Sequence, residues 1–530
     1  MRHFKFAPDW LRFFIIVVLI VGIFFRFYNL GTKVYWHDEI YTSLRVTGYT
    51  VAEVTKQIFN ERVITREAFA KFQSLNPEKN LGDTIKSLAV EDPQHPPLYY
   101  VITRLWVQIF GSSVTAIRSL SAFISLLAFP CIYWLCRELF NVPLSLPYLA
   151  IALISVSPIQ LIYAQEAREY MLWVVTILVS SASLLRAIRL EFKWQLEKER
   201  IFTWGIYALT LALSLYTSLL SGFVAVAHGI YIVTMKKFHW HKTVKAYSIA
   251  SLTAFLSFTP WILVVLANFS KFHDSTAQTV TRSPWWAVIQ SWLMQLSRIF
   301  FDLNFGFENP LSYLITPIFF IFVGYAIYFL CRTTHPQAWL FIITLIIVPA
   351  LPLMLPDLIL GGNRSLTERY LMPSYLGIQL AVAYLLATQL YNGNWSRRRI
   401  WKTITALVII SGIFSGAVSS QAETWWSKVV SSGNLKVAKI INHTSRPLLL
   451  SDDLGINYGN IFSLSYLLEP KVHFQLLKNS NIPKKSPGFT NVFFLNPSGK
   501  LQKGIEKKYK SKIKTVYRDK YYSLFKLGKN

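Results

Sequence analysis

A polytopic α-helical membrane protein with a small C-terminal α/β domain is the fold class that this sequence predicts. Three observations carry the reading. Runs of roughly 17 to 24 mostly apolar residues recur over the first 420 positions, which is the length a helix needs to cross a bilayer. Basic residues are strung between those runs rather than gathered on one face, as expected for loops that set membrane orientation. Beyond about residue 420 the texture changes to short strand-like stretches separated by helical ones.

The apolar runs lie near 13–28, 115–136, 144–164, 170–190, 201–217, 219–235, 244–267, 311–331, 338–356, 370–391 and 400–419, which predicts about 11 transmembrane helices. The first run follows Arg2, Lys5 and Arg12, as a signal peptide would, but it ends on Phe24-Phe25-Arg26 without a small-residue cleavage site, so it reads as a retained anchor. A twelfth run, 98–110, is short and holds Arg104 and Gln108. Charge decides its place. If it does not cross, the basic segments 1–12, 186–200 (with Lys193), 236–245 and 397–402 all share one side, which the positive-inside rule makes cytoplasmic. The N-terminus is then cytoplasmic, the C-terminus outside the cell membrane, and 98–110 lies along the outer surface. The domains expected are 1–420, with a first outer loop at 29–114, and an extracytoplasmic α/β domain at 421–530 whose strands fall near 447–451, 491–495 and 521–525.

Composition excludes several classes. A net charge of +27 would suit a nucleic-acid partner if it were clustered, but it is dispersed between hydrophobic spans, so no nucleic acid is expected. Cys131, Cys136 and Cys331 sit in or beside apolar runs and supply neither a disulfide framework nor a metal spacing. Ion-coupled transporters place acids near the membrane midplane. Here no predicted span holds an Asp or Glu well inside it, and the scarce acids gather in the outer loops. The segment 499–529 holds eleven basic residues, a solvated face by default and a site for anionic headgroups or an anionic acceptor as the alternative.

Four constellations lie on the predicted outer side. Trp36-His37-Asp38-Glu39 follows the first span, where acids suit either a helix start or chemistry at the membrane surface. Glu91-Asp92-Pro93-Gln94-His95-Pro96-Pro97 is a rigid entry to a surface helix that would also hold Asp92 and His95 at the interface. Tyr163-Ala164-Gln165-Glu166-Ala167-Arg168-Glu169-Tyr170 lies around the outer loop between the third and fourth spans; on a helix Glu166 would share a face with Tyr170 and Gln165 with Arg168, as a salt-bridge cluster or a site. Arg364-Ser365-Leu366-Thr367-Glu368-Arg369-Tyr370 puts Arg364 and Arg369 where phosphate is the natural partner, and Arg118 is an outer-side arginine too.

Taken in order, Trp36-His37-Asp38-Glu39, His95-Pro96-Pro97-Leu98-Tyr99-Tyr100, Ala116-Ile117-Arg118-Ser119-Leu120, Gln165-Glu166-Ala167-Arg168-Glu169-Tyr170 and Arg369-Tyr370-Leu371-Met372-Pro373 resemble the bacterial glycosyltransferases of GT-C fold related to protein O-mannosyltransferases and to the lipid A aminoarabinose transferase. The resemblance spans about residues 10–420. It implies a cell-envelope transferase that takes a hexosyl or pentosyl group from a polyprenyl-phosphate sugar and inverts the anomeric carbon in one displacement. The acceptor is a hydroxyl of a protein, lipid or glycan, and membrane lipids surround the enzyme. Asp38 is then the catalytic base and Glu39 its support, which suits adjacent side chains that diverge by about 100° on a helix. Asp92, His95, Arg118, Tyr163, Glu166, Arg168, Tyr170, Arg364 and Arg369 are the candidate donor-binding residues. Some relatives bind a metal and carry a histidine after Tyr-Thr in the turn between the fifth and sixth spans. Here that turn reads Tyr216-Thr217-Ser218, so no metal or other cofactor is assigned. A polysaccharide polymerase or ligase and a lipid or glycan transporter are the competing classes.

Overall fold

The computed structural model describes residues 9–140, 145–191, 197–479, 481–484 and 486–528. Arg2, Lys5 and Lys193, three of the residues used to orient the chain, lie outside the described residues. The chain divides into two compact units. One comprises Met1–Tyr28, Asp92–Tyr99 and Ser119–Ser420; the other comprises Asn29–Glu91, Tyr100–Arg118 and Gln421–Asn530.

Among the described residues, eight helices are long and apolar enough to cross a membrane, and nine if one bent pair is a single span. That pair, Ser145–Val156 and Pro158–Ala164, meets at 59°. Pro158 has no N–H for the helix and forces Ser157 into an extended conformation, which produces the bend. The remaining two of the eleven expected spans also form helices. Glu197–Thr217 opens on four charged residues, which lowers its hydropathy, and Ser221–Met235 has only 15 residues.

Close helix approach in this unit depends on missing side chains. Gly22 of the first helix faces the Ser155 backbone, and Gly412 of the Trp395–Gln421 helix faces Val156, so a Cβ at either position would collide with the bent span. Arg26, fully buried in the first helix, meets Ser125 Oγ at 3.0 Å, Gly22 O at 2.8 Å and Ile154 O at 3.1 Å. Its guanidinium ties three apolar helices together by bonds that no hydrocarbon environment would otherwise satisfy.

The helix Leu98–Phe110 is 13 residues long, and its residues from Tyr100 onward belong to the other unit. Its Arg104 is buried and donates to Val46 O at 2.8 Å and Lys79 O at 2.5 Å, so the charge that made this run unsuited to crossing binds loop backbone instead. A six-stranded sheet runs in the order β1-β3-β2-β4-β6-β5. Its strands are β1 (Val63–Ile64), β2 (Pro447–Asp452), β3 (His473–Leu477), β4 (Asn491–Leu495), β5 (Ile513–Arg518) and β6 (Ser523–Leu527). β2 is parallel to both neighbours, with Leu449 opposite Phe474 and Phe493, and its continuous apolar run is what a central strand buried on both faces requires. Leu448, Leu450, Phe494 and Phe525 form one core with Leu501 and Ile505 of the helix Gly499–Tyr509. On the opposite face Phe69 meets the rings of Phe474 and Phe462 at 4.9 and 4.8 Å. Three strands escaped the sequence reading. β1 has two residues, β5 carries a basic residue near each end, and β3 is a short apolar run that periodicity cannot separate from a helix.

Candidate active site

The acid pair opens the helix His37–Thr47. Trp36 precedes it in an extended conformation, and Glu39 reaches back so that its carboxylate accepts the Trp36 N–H at 3.4 Å, the reciprocal half of a capping box. The helix stops at Gly48, whose φ of 89° suits a residue without a Cβ. Successive helical residues point about 100° apart, and the two carboxylates have different fates. Glu39 is 0% exposed. The Asp38 side chain is 24% exposed and its Oδ1 lies 3.4 Å from His37 Nδ1.

Glu39 is held by two buried cations. Arg118 donates to it twice, Nε–H to Oε1 and Nη2–H to Oε2, both at 2.7 Å, and Lys428 Nζ donates to Oε2 at 3.1 Å. The other donors of Arg118 go to the carbonyls of Leu30 at 2.7 Å, Lys33 at 2.9 Å and Val34 at 2.9 Å. All five N–H groups of that guanidinium are therefore committed within its own unit. This corrects the expectation that Arg118 grips a phosphate. It clamps the segment that leads into the acid pair, with Glu39 as its counter-charge. Lys428 also lies over the Trp36 ring at 5.4 Å. Around Asp38, the His37 N–H is anchored by Ser431 Oγ at 3.0 Å and its ring packs on Tyr41 at 5.0 Å.

The other unit brings together a second set of expected residues. Asp92 accepts from Gln94 Nε2 at 3.1 Å, and its carbonyl receives the His95 N–H at 3.0 Å, which forms the turn ahead of the paired prolines. His95 Nε2 lies 3.3 Å from Arg168 Nη2, and His95 Nδ1 lies 3.1 Å from Glu169 Oε1. Arg168 and Glu169 thus approach opposite ring nitrogens of His95. Arg168 also meets Glu169 at 3.2 Å. Burial alone would raise the Glu169 pKa, but Arg168 and His95 outweigh it and hold the carboxyl down at about 2. Tyr170 has a guanidinium carbon near its ring from each of two arginines, Arg168 at 5.7 Å and Arg369 at 5.6 Å, and Tyr163 packs edge-on to it at 5.1 Å. Among the described residues the buried Tyr163 hydroxyl has no hydrogen-bond partner, and Glu166 is fully buried beside this cluster.

The segment 165–169 is not helical, because the helix Pro158–Ala164 ends and Gln165 turns its amide to Phe25 O at 2.7 Å and Tyr28 O at 2.9 Å. The loop expected between the third and fourth spans is thus present, and within it Arg168 meets Glu169. Arg364 is bound to Asp357 at 3.1 Å, and the other Asp357 oxygen accepts the Ser365 N–H and hydroxyl, both at 2.7 Å, so this arginine shapes its loop. Lys428 and Glu169 were not singled out. No motif surrounds Lys428, and Glu169 was read only as part of the 163–170 constellation, with no role of its own.

For the metal of some relatives, the turn at 216–218 is a poor host. Tyr216 donates to Ser257 O and Thr217 to Leu213 O, both at 2.8 Å. Among the described residues no group of three or more His, Cys, Asp or Glu could hold a metal ion.

Residues 94–263 match the family of dolichyl-phosphate-mannose-protein mannosyltransferases. No curated protein matches the sequence. Among solved structures the chain is similar to ArnT from Cupriavidus metallidurans in the apo state, with TM-score 0.51 and 13% identity over 98% of this chain and 97% of that one. ArnT bound to undecaprenyl phosphate gives TM-score 0.50 and 13% identity, with 98% of each chain covered. The chain has the GT-C fold. An apo oligosaccharyltransferase from Archaeoglobus fulgidus gives TM-score 0.50 and 13% identity, covering 88% of this chain and 65% of the archaeal one. Apolar helices and GT-C fold together make this a multi-pass membrane protein, and the family match supports a glycosyltransferase.

Proposed function

We propose that this GT-C protein moves a sugar from a polyprenyl-phosphate donor to an acceptor hydroxyl on the outer face of the cell membrane, in a single displacement with inversion. The observation that carries the reading is the unequal fate of the acid pair. Glu39 is spent on Arg118 and Lys428, whereas Asp38 keeps a carboxylate that reaches solvent from the first turn of a helix. Taking the acceptor proton during attack is worth typically about 10²–10⁴-fold.

The donor class rests on the GT-C fold and on the matched family, whose description specifies a dolichyl-phosphate sugar. ArnT, of the same fold, has been solved with undecaprenyl phosphate. As the sugar–phosphate bond breaks, negative charge builds on the leaving phosphate. Within their own unit, Arg168 and Arg369, both held against Tyr170, are proposed as phosphate-binding cations, with the Tyr163 hydroxyl as a further donor. His95 and Glu169 fix where the Arg168 guanidinium points. The orientation proposed keeps the N-terminus cytoplasmic and 421–530 outside.

Membranes holding the protein, given a panel of radiolabelled polyprenyl-phosphate sugars, should pass one label into the protein, lipid or glycan fraction. The Asp38→Asn variant should bind that donor and pass on none. Transfer at the wild-type rate by that variant would remove Asp38 as base, and movement of intact labelled lipid without transfer would make the protein a transporter.

A further inference from the structure

The helix Gly499–Tyr509 and the β5–β6 hairpin hold ten Lys and Arg against two acids over 499–528. Neither acid neutralises a neighbour. Glu506 accepts the Ile513 N–H at 3.0 Å, and Asp519 accepts from Tyr517 Oη at 2.7 Å and the Tyr521 N–H at 2.8 Å. Among the described residues none of the ten cations stands in an ion pair.

The arrangement is more specific than a solvated surface. On the helix, Leu501 and Ile505 face the sheet, while Lys500, Lys503 and Lys507 are exposed and lie within about 60° of one another at 100° per residue. On the sheet's other face, Lys514 of β5 stands directly opposite Lys526 of β6. Like charges directly opposite across an antiparallel pair are destabilising. Lys526 meets the Phe493 ring at 5.5 Å, which places this pair on the face away from the Phe494 and Phe525 core. β5 ends the sheet, so cations flank a free edge strand on both faces.

We propose that this edge binds a flexible linear polyanion carrying phosphate groups at regular intervals. Lys ammonium groups are point-charge phosphate binders, and an anion lying across β5 would relieve the Lys514–Lys526 repulsion. The two-faced layout favours a chain over a plane, because a flat lipid surface meets one face of a sheet while a chain can follow lysines around its edge. Nothing in this proposal depends on the transferase reading.

The test uses the full-length protein in neutral-lipid nanodiscs with fluorescent inorganic polyphosphate as the probe. About five lysine–phosphate contacts imply that affinity falls on the order of 10²-fold between about 50 and 200 mM salt, by counterion release. Lys503→Glu/Lys507→Glu/Lys514→Glu should abolish binding and leave sugar transfer intact. The milder Lys503→Gln/Lys507→Gln/Lys514→Gln should weaken it with the thermal unfolding curve unchanged. Lys56→Glu/Lys86→Glu/Lys478→Glu, which removes exposed lysines elsewhere in the same unit, should bind as wild type. Equal losses in this control and the glutamine triple, or undiminished binding by either edge variant, would overturn the site. Binding to phosphatidylglycerol vesicles without binding to polyphosphate would overturn the linear ligand in favour of a lipid surface.

Discussion

Replacing Glu39 by Gln keeps its size and removes its charge. Two buried cations, Arg118 at 2.7 Å and Lys428 at 3.1 Å, would then lose the Glu39 charge that they contact, both essentially inaccessible to water. Removing one partner of a buried ion pair costs about 3–5 kcal/mol. Asp38→Asn, one residue away, alters a carboxylate that reaches solvent at the first turn of a helix and should cost only about 0.3–1 kcal/mol. Tryptophan-monitored thermal unfolding in detergent, run beside the sugar-transfer assay, separates the two. Glu39→Gln should lower the unfolding temperature sharply and reduce transfer through loss of folded protein. Asp38→Asn should unfold like wild type while losing transfer by about 10²–10⁴-fold. The double variant Glu39→Gln/Lys428→Met should recover part of the stability, since one of the two stranded charges is gone. If Glu39→Gln unfolds within about 0.5 kcal/mol of wild type, the range of ordinary surface substitutions, the clamp described here does not hold.

Glu169 makes a pH prediction. Its folded pKa, about 2 against an ordinary 4.5, means that its ion pair contributes stability above about pH 4.5, and that this contribution fades as pH falls toward 2. Thermal unfolding followed from pH 6 down to about 2.5 should fall more steeply for wild type than for Glu169→Gln; parallel curves would refute the ion pair. Arg369→Ala should raise the donor dissociation constant by about tenfold or more, the scale of a lost charge-assisted bond, and an unchanged constant would remove Arg369 from the phosphate site. For topology, a reporter inserted at residue 240 should read cytoplasm and one at 530 the outside, whereas an outside signal from 240 would overturn the orientation.

What was legible in the sequence follows physical strength. The long apolar helices stood out because crossing a bilayer needs an unbroken stretch of side chains that hydrocarbon tolerates. Bending was less legible. Pro158 is visible, but whether it ends a span or kinks one depends on what satisfies the freed backbone around it. At 165–169 the loop between two spans was legible, but not that Gln165 would bind the carbonyls of Phe25 and Tyr28, about 140 residues away in sequence. Strand β1 illustrates the limit. Two residues, Val63 and Ile64, have no periodicity, and they are strands only because Gln475 and Phe474 lie beside them.

Sequence by itself determined the membrane-helix class, the change of texture near 420 and the presence of an acid pair between apolar spans. It also showed that the two carboxylates must diverge, because that follows from helical rise and turn alone. Only the tertiary structure decided which of them is buried. That depended on Arg118 and Lys428, which arrive from 79 and 389 residues away in sequence. Their cost of desolvation is met by Glu39 and by carbonyls that no local pattern foretells. Charge pairing in a buried site is a property of distance in space, and apolar periodicity is a property of distance along the chain.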